Sequence, residues 1–227
     1  MTNHLTRIGA AALLTVLAAI PTAVHGESYV PDVAEFDGSN ALTFAPAEQL
    51  DLAGGGTLEF WVAPDWTADP GYDPVIVCNA GPEGPSYLVA MLRDRDGLAF
   101  ATGAEEDVVT FDFSDGQMHH VAMVSLEDGT AFFIDGQLAG LSELVIEDLP
   151  SVGLWVASID GENNQFQGAI AGLRVWDTVV VQEDLVNFAM QDVFDGDHPD
   201  LAALAAMSDF ASGELLLVDA AEPQGGR

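Results

Sequence analysis

Two stretches decide the fold: Thr57-Leu58-Glu59-Phe60-Trp61-Val62-Ala63 and His119-His120-Val121-Ala122-Met123-Val124-Ser125. A sheet with one wet face alternates apolar and polar residues, whereas these strands are nearly apolar on both faces. That pattern predicts the interior of a two-sheet sandwich. Working outward, similar short runs occur at Val33–Phe36, Ala41–Ala45, Pro74–Cys78, Ser86–Leu92, Leu98–Ala101, Val108–Phe113, Ala131–Ile134, Gly153–Ser158, Phe166–Trp176 and Glu214–Val218. Between them fall Asp37-Gly38, Asp96-Gly97, Asp115-Gly116, Asp128-Gly129, Asp135-Gly136 and Asp160-Gly161, and the run Gly54-Gly55-Gly56. Asp-Gly is a strong hairpin signal, since Gly accepts positive φ and Asp bonds back to its own backbone. The chain therefore reads as all-β, an antiparallel β-sandwich of meanders and hairpins.

One helix is expected, near residues 182–190. Leu185, Phe188 and Ala189 follow helical spacing, and Glu183 and Asp184 sit where the helix dipole favours anions. Asp200–Ala206 reads either as helix, from its Ala and Leu content, or as a strand recruited to a sheet edge. No internal repeat or linker divides the chain, so residues 27–222 form one domain, with 223–227 as a flexible end.

The first 26 residues are different material. Arg7 is their only charge, Ile8–Ile20 is almost wholly apolar, Pro21 breaks any helix, and Val24 and Gly26 supply small residues for a peptidase. This is a signal peptide cleaved near Gly26, because the apolar run covers only about 20 Å of a roughly 30 Å hydrocarbon layer. A secreted or periplasmic protein follows, with no membrane insertion after cleavage. Cys78, the single cysteine, lies in an apolar run and reads as a small buried hydrophobe.

The 227 residues carry 5 basic side chains, all arginine, against 37 acids, a net charge of −32. Phosphate backbones and anionic lipid are repelled, which excludes nucleic-acid partners and electrostatic membrane docking. A hydrophobic content of 49% and a mean hydropathy of +0.23 separate the chain from acidic disordered tails.

The order of motifs resembles a known family. Phe36-Asp37-Gly38-Ser39-Asn40-Ala41-Leu42 opens the domain, followed by Thr57–Val62, the His119-His120 pair and Phe133-Ile134-Asp135-Gly136-Gln137. Phe166–Trp176 then leads into the helix at Gln182. This is similar to a laminin-G-like domain of the concanavalin-A-like lectin/glucanase class, a pentraxin-like jelly roll, over about residues 33 to 219. Met118 departs from the pattern, standing where the family usually carries Trp.

Candidate sites follow from residue chemistry and from this resemblance. Glucanases of the class carry Glu-x-Asp-x-Glu on one strand face, and that spacing is absent here, so no catalytic residues are assigned and the chain reads as a non-enzyme. Glu59 is expected to form a structural ion pair with Arg174, since a buried charge needs a partner. His119 and His120 are adjacent on a strand and point to opposite faces, so they cannot chelate one ion together. The donor-rich turn Asp160–Gln165 has the oxygen chemistry of calcium. The resemblance to pentraxins adds the loop before the Val75 strand, giving Asp73, Asp160, Glu162 and Asn163 as candidate Ca²⁺ ligands. For a sugar, Trp66 and Tyr72 in the loop Pro64–Pro74 are the candidate platforms, while Trp61 and Trp176 read as packing residues and Trp155 as either.

The expected function is a non-catalytic module binding a glycan or polysaccharide, with Ca²⁺ as the cofactor that the pentraxin resemblance implies. A structural or adhesive domain binding a surface protein is the alternative, and a hydrolase or lyase with an unrecognised site is a third. Self-repulsion among the acids predicts that salt stabilises the fold. Raising salt from about 0.01 M to about 1 M shortens the Debye length from about 30 Å to about 3 Å and should raise the melting temperature. Calorimetry giving the same melting temperature at both salts would refute this.

Overall fold

A computed structural model of the chain describes residues 32–191 and 198–218. The expected signal segment 1–26 and flexible end 223–227 lie outside the described residues. Those described form β1 (Val33–Asp37), β2 (Leu42–Phe44), β3 (Gly56–Pro64), β4 (Val75–Ala80), β5 (Tyr87–Met91), β6 (Gly97–Thr102) and β7 (Glu105–Thr110). The chain continues through β8 (His119–Leu126), β9 (Gly129–Ile134), β10 (Gln137–Ser142), β11 (Gly153–Val156), β12 (Gln167–Trp176), α1 (Gln182–Phe188), β13 (Leu204–Asp209) and β14 (Glu214–Leu217). One sheet runs β10-β9-β8-β3-β12-β13-β14, with β1 also on β12; the other runs β2-β11-β4-β5-β6-β7. Every pairing is antiparallel, and the result is a jelly-roll sandwich.

Strand alternation sets what each face meets. Leu58, Phe60 and Val62 of β3, with Val121 and Met123 of β8, point between the sheets against Val89 and Met91 of β5 and Leu98 and Phe100 of β6, all fully buried. The opposite face of β3, β8 and β12 is not left to water. Ala122, Val124 and Trp176 form a second apolar layer there with Val180 and Leu185, which α1 and its lead-in lay across the sheet. This explains why both deciding stretches are apolar on both faces.

The hairpin between β9 and β10 fixes α1 in place. Asp135 and Gly136 have φ of 50° and 72°, the paired positive values of a two-residue I′ turn. A Cβ on Gly136 would stand 2.3 Å from Val186 Cγ2, and the Gly136 carbonyl accepts a 2.8 Å hydrogen bond from Gln182 Nε2. Only glycine satisfies both the turn and the approach of the helix.

Three expectations shift. The strand expected at Val108–Phe113 is β7 at Glu105–Thr110, because the Gly103-Ala104 turn pairs Thr102 with Glu105 and sets the register. β10 was not expected, its Gln-Leu-Ala-Gly-Leu-Ser being a poor strand former, yet the I′ turn returns the chain directly along β9. Asp200–Ala206 divides: Leu201–Ala203 make one 3-10 turn, then β13 takes the free edge of β12.

The two histidines diverge as their adjacency requires. His119 Nδ1 lies 2.8 Å from Asp135 Oδ2 and Nε2 lies 3.2 Å from Asp115 Oδ1, with the rings of Phe111 and Phe113 at 5.0 Å and 5.5 Å. Burial pulls the His119 pKa down, but hydrogen bonds to Asp135 and Asp115 outweigh it and raise it above the ordinary 6.5. A folded pKa above the unfolded one means that the protonated ring contributes stability below about pH 6.5 and loses it as pH rises through the raised value. Thermal melts should show a loss of stability across that window, absent in His119→Gln; an identical pH profile in both proteins would dismiss the link.

Candidate functional site

The polar centre of the molecule is Glu59. It occupies the middle of β3, directly opposite Arg174 of β12, and is only 3% exposed. Glu59 Oε1 accepts from Arg174 Nη1 at 3.3 Å and Trp176 Nε1 at 3.0 Å, while Oε2 accepts from His120 Nε2 at 2.9 Å. The expected Glu59–Arg174 pair is therefore present, inside a larger network that contains His120. Arg174 also donates to the Phe188 carbonyl at 3.4 Å and the Gln191 carbonyl at 2.7 Å, and Trp61 Nε1 donates to the Ala189 carbonyl at 3.3 Å. His198 stacks on Trp176 with ring centres 4.3 Å apart. Glu59, His120, Arg174 and Trp176 are all buried, so the centre of the cluster offers little surface to a substrate.

A cleft opens at the sandwich rim instead. Its cavity of about 140 Å³ is lined by the loop after β3 (Asp65, Trp66, Pro70, Tyr72), the β1–β2 turn at Asp37-Gly38, and Gln165 to Gln167 entering β12. That volume is below the roughly 300–1,000 Å³ of enclosed small-molecule sites and suits a single ring with the rest of its chain outside. Trp66 and Tyr72, the expected platforms, both border it, with different roles. Trp66 is half-buried against the core, its Nε1 donating to the Phe113 carbonyl at 2.8 Å and its ring covered by Arg95 at 4.9 Å. Tyr72 is 37% exposed, and its hydroxyl donates to the Gln165 carbonyl at 3.2 Å.

Sequence reasoning missed the polar half of the cleft. Asp65 Oδ1 accepts from Thr67 N at 2.9 Å and Oδ2 from Gln167 Nε2 at 3.0 Å. Asp37 Oδ1 accepts from Ser39 N at 2.8 Å and Ser39 Oγ at 2.7 Å. Hydrogen bonds from Ser39 hold the Asp37 carboxyl below the ordinary range, and those from Thr67 and Gln167 do the same for Asp65, so both are ionised. The available signal was the pattern Asp-x-Ser/Thr in two turns flanking the platform loop.

The expected calcium ligands take part in hydrogen bonds within and between their loops. Asp160 accepts from Glu162 N, Asn163 N and Asn163 Nδ2, at 2.7 to 2.9 Å, and these bonds, that from the Asn163 side chain foremost, pull its pKa down. Asp73 Oδ1 accepts from Arg93 N at 2.8 Å. Asn164 joins the two loops beside Tyr72, its amide donating to the Asp73 carbonyl at 3.0 Å. Among the described residues, no three His, Cys, Asp or Glu side chains gather as a metal group. The loop instead closes over Trp155: a Cβ on Gly161 would stand 2.7 Å from that ring, and Trp155 packs on the layer containing buried Cys78. Burial, with Asp160 nearby, pushes the Cys78 thiol up to about 12, which makes it inert.

Two antiparallel sheets packed face to face with a small aromatic rim cleft define a lectin-like jelly-roll sandwich. The chain belongs to the concanavalin A-like lectin/glucanases superfamily, the family described as Laminin_G_3 matching residues 36–186. No curated protein matches it by sequence. Among solved structures it is similar to a proposed carbohydrate-binding protein from Bacteroides ovatus, at 17% identity and a TM-score of 0.60, over 87% of this chain and 54% of that one. The chain thus spans about half the length of that neighbour. Domain 4 of an extracellular arabinanase from Geobacillus stearothermophilus, in complex with arabinotriose, matches at 13% identity and a TM-score of 0.51, over 70% of this chain and 76% of that one. A Trypanosoma rangeli sialidase matches at 16% identity and a TM-score of 0.53, over 71% of this chain and 28% of that one. Identities this low speak for the fold alone.

The Glu59 network yields the prediction for this region. Burial alone would raise the Glu59 carboxyl, but His120, Arg174 and Trp176 outweigh it and hold it at about 2, below its ordinary 4.5. With the folded pKa the lower, its contribution to stability is present above about pH 4.5 and is lost as pH falls toward 2. Glu59→Gln leaves the buried Arg174 guanidinium without a counter-charge and should cost about 3–5 kcal/mol in urea unfolding. A variant with an unchanged unfolding midpoint would show that the network does not hold the fold.

Proposed function

We propose that this protein is an exported, non-catalytic glycan-binding module whose site is the rim cleft beside Tyr72. The observation that carries the reading is the pairing in one small cleft of a partly exposed aromatic side chain, Tyr72, with ionised acceptors at Asp37 and Asp65. Sugar rings present an apolar face that packs on an aromatic ring and a periphery of hydroxyl donors that suits carboxylate acceptors. The export part of the reading rests on the signal pattern of residues 1–26.

Binding rather than hydrolysis is supported by the protonation of the two acids. Glycosidases of the common kind need one carboxyl raised so that it donates a proton while the other stays ionised. Asp37 and Asp65 are both shifted downward, so neither suits the acid role. The reading does not call on calcium, since the acceptors at the cleft are Asp37 and Asp65, outside the Asp160 loop.

Affinity electrophoresis and calorimetry against plant and bacterial polysaccharides should find a ligand retained in EDTA. Tyr72→Ala should weaken it about tenfold, the effect of losing one stacked aromatic anchor, with an unchanged melting temperature. Binding that survives Tyr72→Ala unaltered would place the site elsewhere.

A further inference from the structure

The lining of the cleft has a sign as well as a shape. Its charged members are Asp37 and Asp65. None of the three arginines among the described residues lines it, although two of them are bound to the loop that forms its wall. Arg174 is held in the Glu59 network, Arg95 lies over the Trp66 ring and donates to the Trp66 carbonyl, and Arg93 donates to the Gly71 carbonyl. The remaining polar lining is the amides Gln165 and Gln167, both tied down, with Gln165 Nε2 on the Gly161 carbonyl at 3.2 Å and Gln167 Nε2 on Asp65. The apolar part is Pro64, Pro70 and Pro74 with Tyr72 and Trp66.

We propose that this cleft selects uncharged sugar residues and rejects uronates and sulfated sugars, with Asp65 and Asp37 as the specificity-determining side chains. The proposal rests on the glycan reading and deepens it. A neutral ring offers hydroxyl hydrogens to both carboxylates, and such charge-assisted bonds are roughly twice as strong as neutral ones. A sugar carboxylate or sulfate in the same place adds an anion beside two fixed anions, while the nearest cations, Arg93 and Arg95, are tied to the carbonyls of Gly71 and Trp66 outside the lining, and like charges at contact distance disfavour each other strongly where water is partly excluded. The acceptors are also held ready: Thr67, Gln167 and Ser39 fix them before any ligand arrives, so little ordering is needed on binding.

The net charge of the whole chain repels any polyanion, so the test has to separate local from global repulsion. Calorimetry uses matched short oligosaccharides differing only at C6: glucose against glucuronate, galactose against galacturonate, mannose against mannuronate. It is run near 0.15 M and near 1 M NaCl. In whichever pair binds, the neutral member should bind at least about tenfold tighter at both salts, since adjacent charges are screened far less than distant ones. Asp65→Asn and Asp37→Asn should each narrow that gap severalfold, while Glu106→Gln on the remote edge strand β7 should leave it unchanged. A uronate binding as tightly as its neutral partner, or a gap narrowed equally by Glu106→Gln, overturns the selectivity while leaving a glycan site in place. Failure of every sugar to bind overturns the glycan reading itself and this proposal with it.

Discussion

The carboxylate of Glu59 is the interaction on which the rest of the molecule depends. It stands on the central strand of the larger sheet, where antiparallel register puts Arg174 directly across from it and His120 and Trp176 one diagonal step away on the neighbouring strands. A charge so placed is tolerable only when its partners are present and water is kept out. The cover comes from α1, and α1 in turn depends on the cluster. Seven residues of helix are marginal alone, and its last turn carries no basic residue to meet its carbonyl end. Arg174 and Trp61 reach up from the sheet and donate to the carbonyls of Phe188, Ala189 and Gln191, supplying what the helix sequence lacks. The helix buries the charge network and the network caps the helix, so sheet register and helix position are set together.

How much of this was legible depends on the range of the interaction. Strands and hairpins were legible because alternation and Asp-Gly turns are local, and β8 and β9 begin within two residues of their expected starts. The Glu59–Arg174 pair was legible by exclusion, since few cations exist to neutralise a buried acid. His120 was not recognised as the third partner, because its closeness to Glu59 is a matter of register between β3 and β8 rather than of spacing along the chain. β10 was hidden because a turn, not its own residues, makes it a strand. Trp66 and Tyr72 were found together from their shared loop, but the loop does not reveal that one ring faces the core and the other the solvent.

The acid excess has a physical use that counting oxygen donors does not reveal. Asp37, Asp51, Asp65, Asp69, Asp112, Asp115 and Asp160 all accept the backbone N–H of the residue two positions on, at Ser39, Ala53, Thr67, Gly71, Ser114, Gln117 and Glu162. Part of the net charge is thus turn chemistry: each of these aspartates closes a bend with a short, charge-assisted bond. A loop rich in carboxylates is then a loop already occupied by its own amides, and oxygen content alone says little about a cation. The same device gives the rim its chemistry. Asp37 and Asp65 close the two turns that flank the cleft, and in doing so they are held ionised and oriented at its edge. A residue type selected many times over to bend the chain becomes, at the rim cleft that also holds the partly exposed Tyr72, a pair of fixed acceptors.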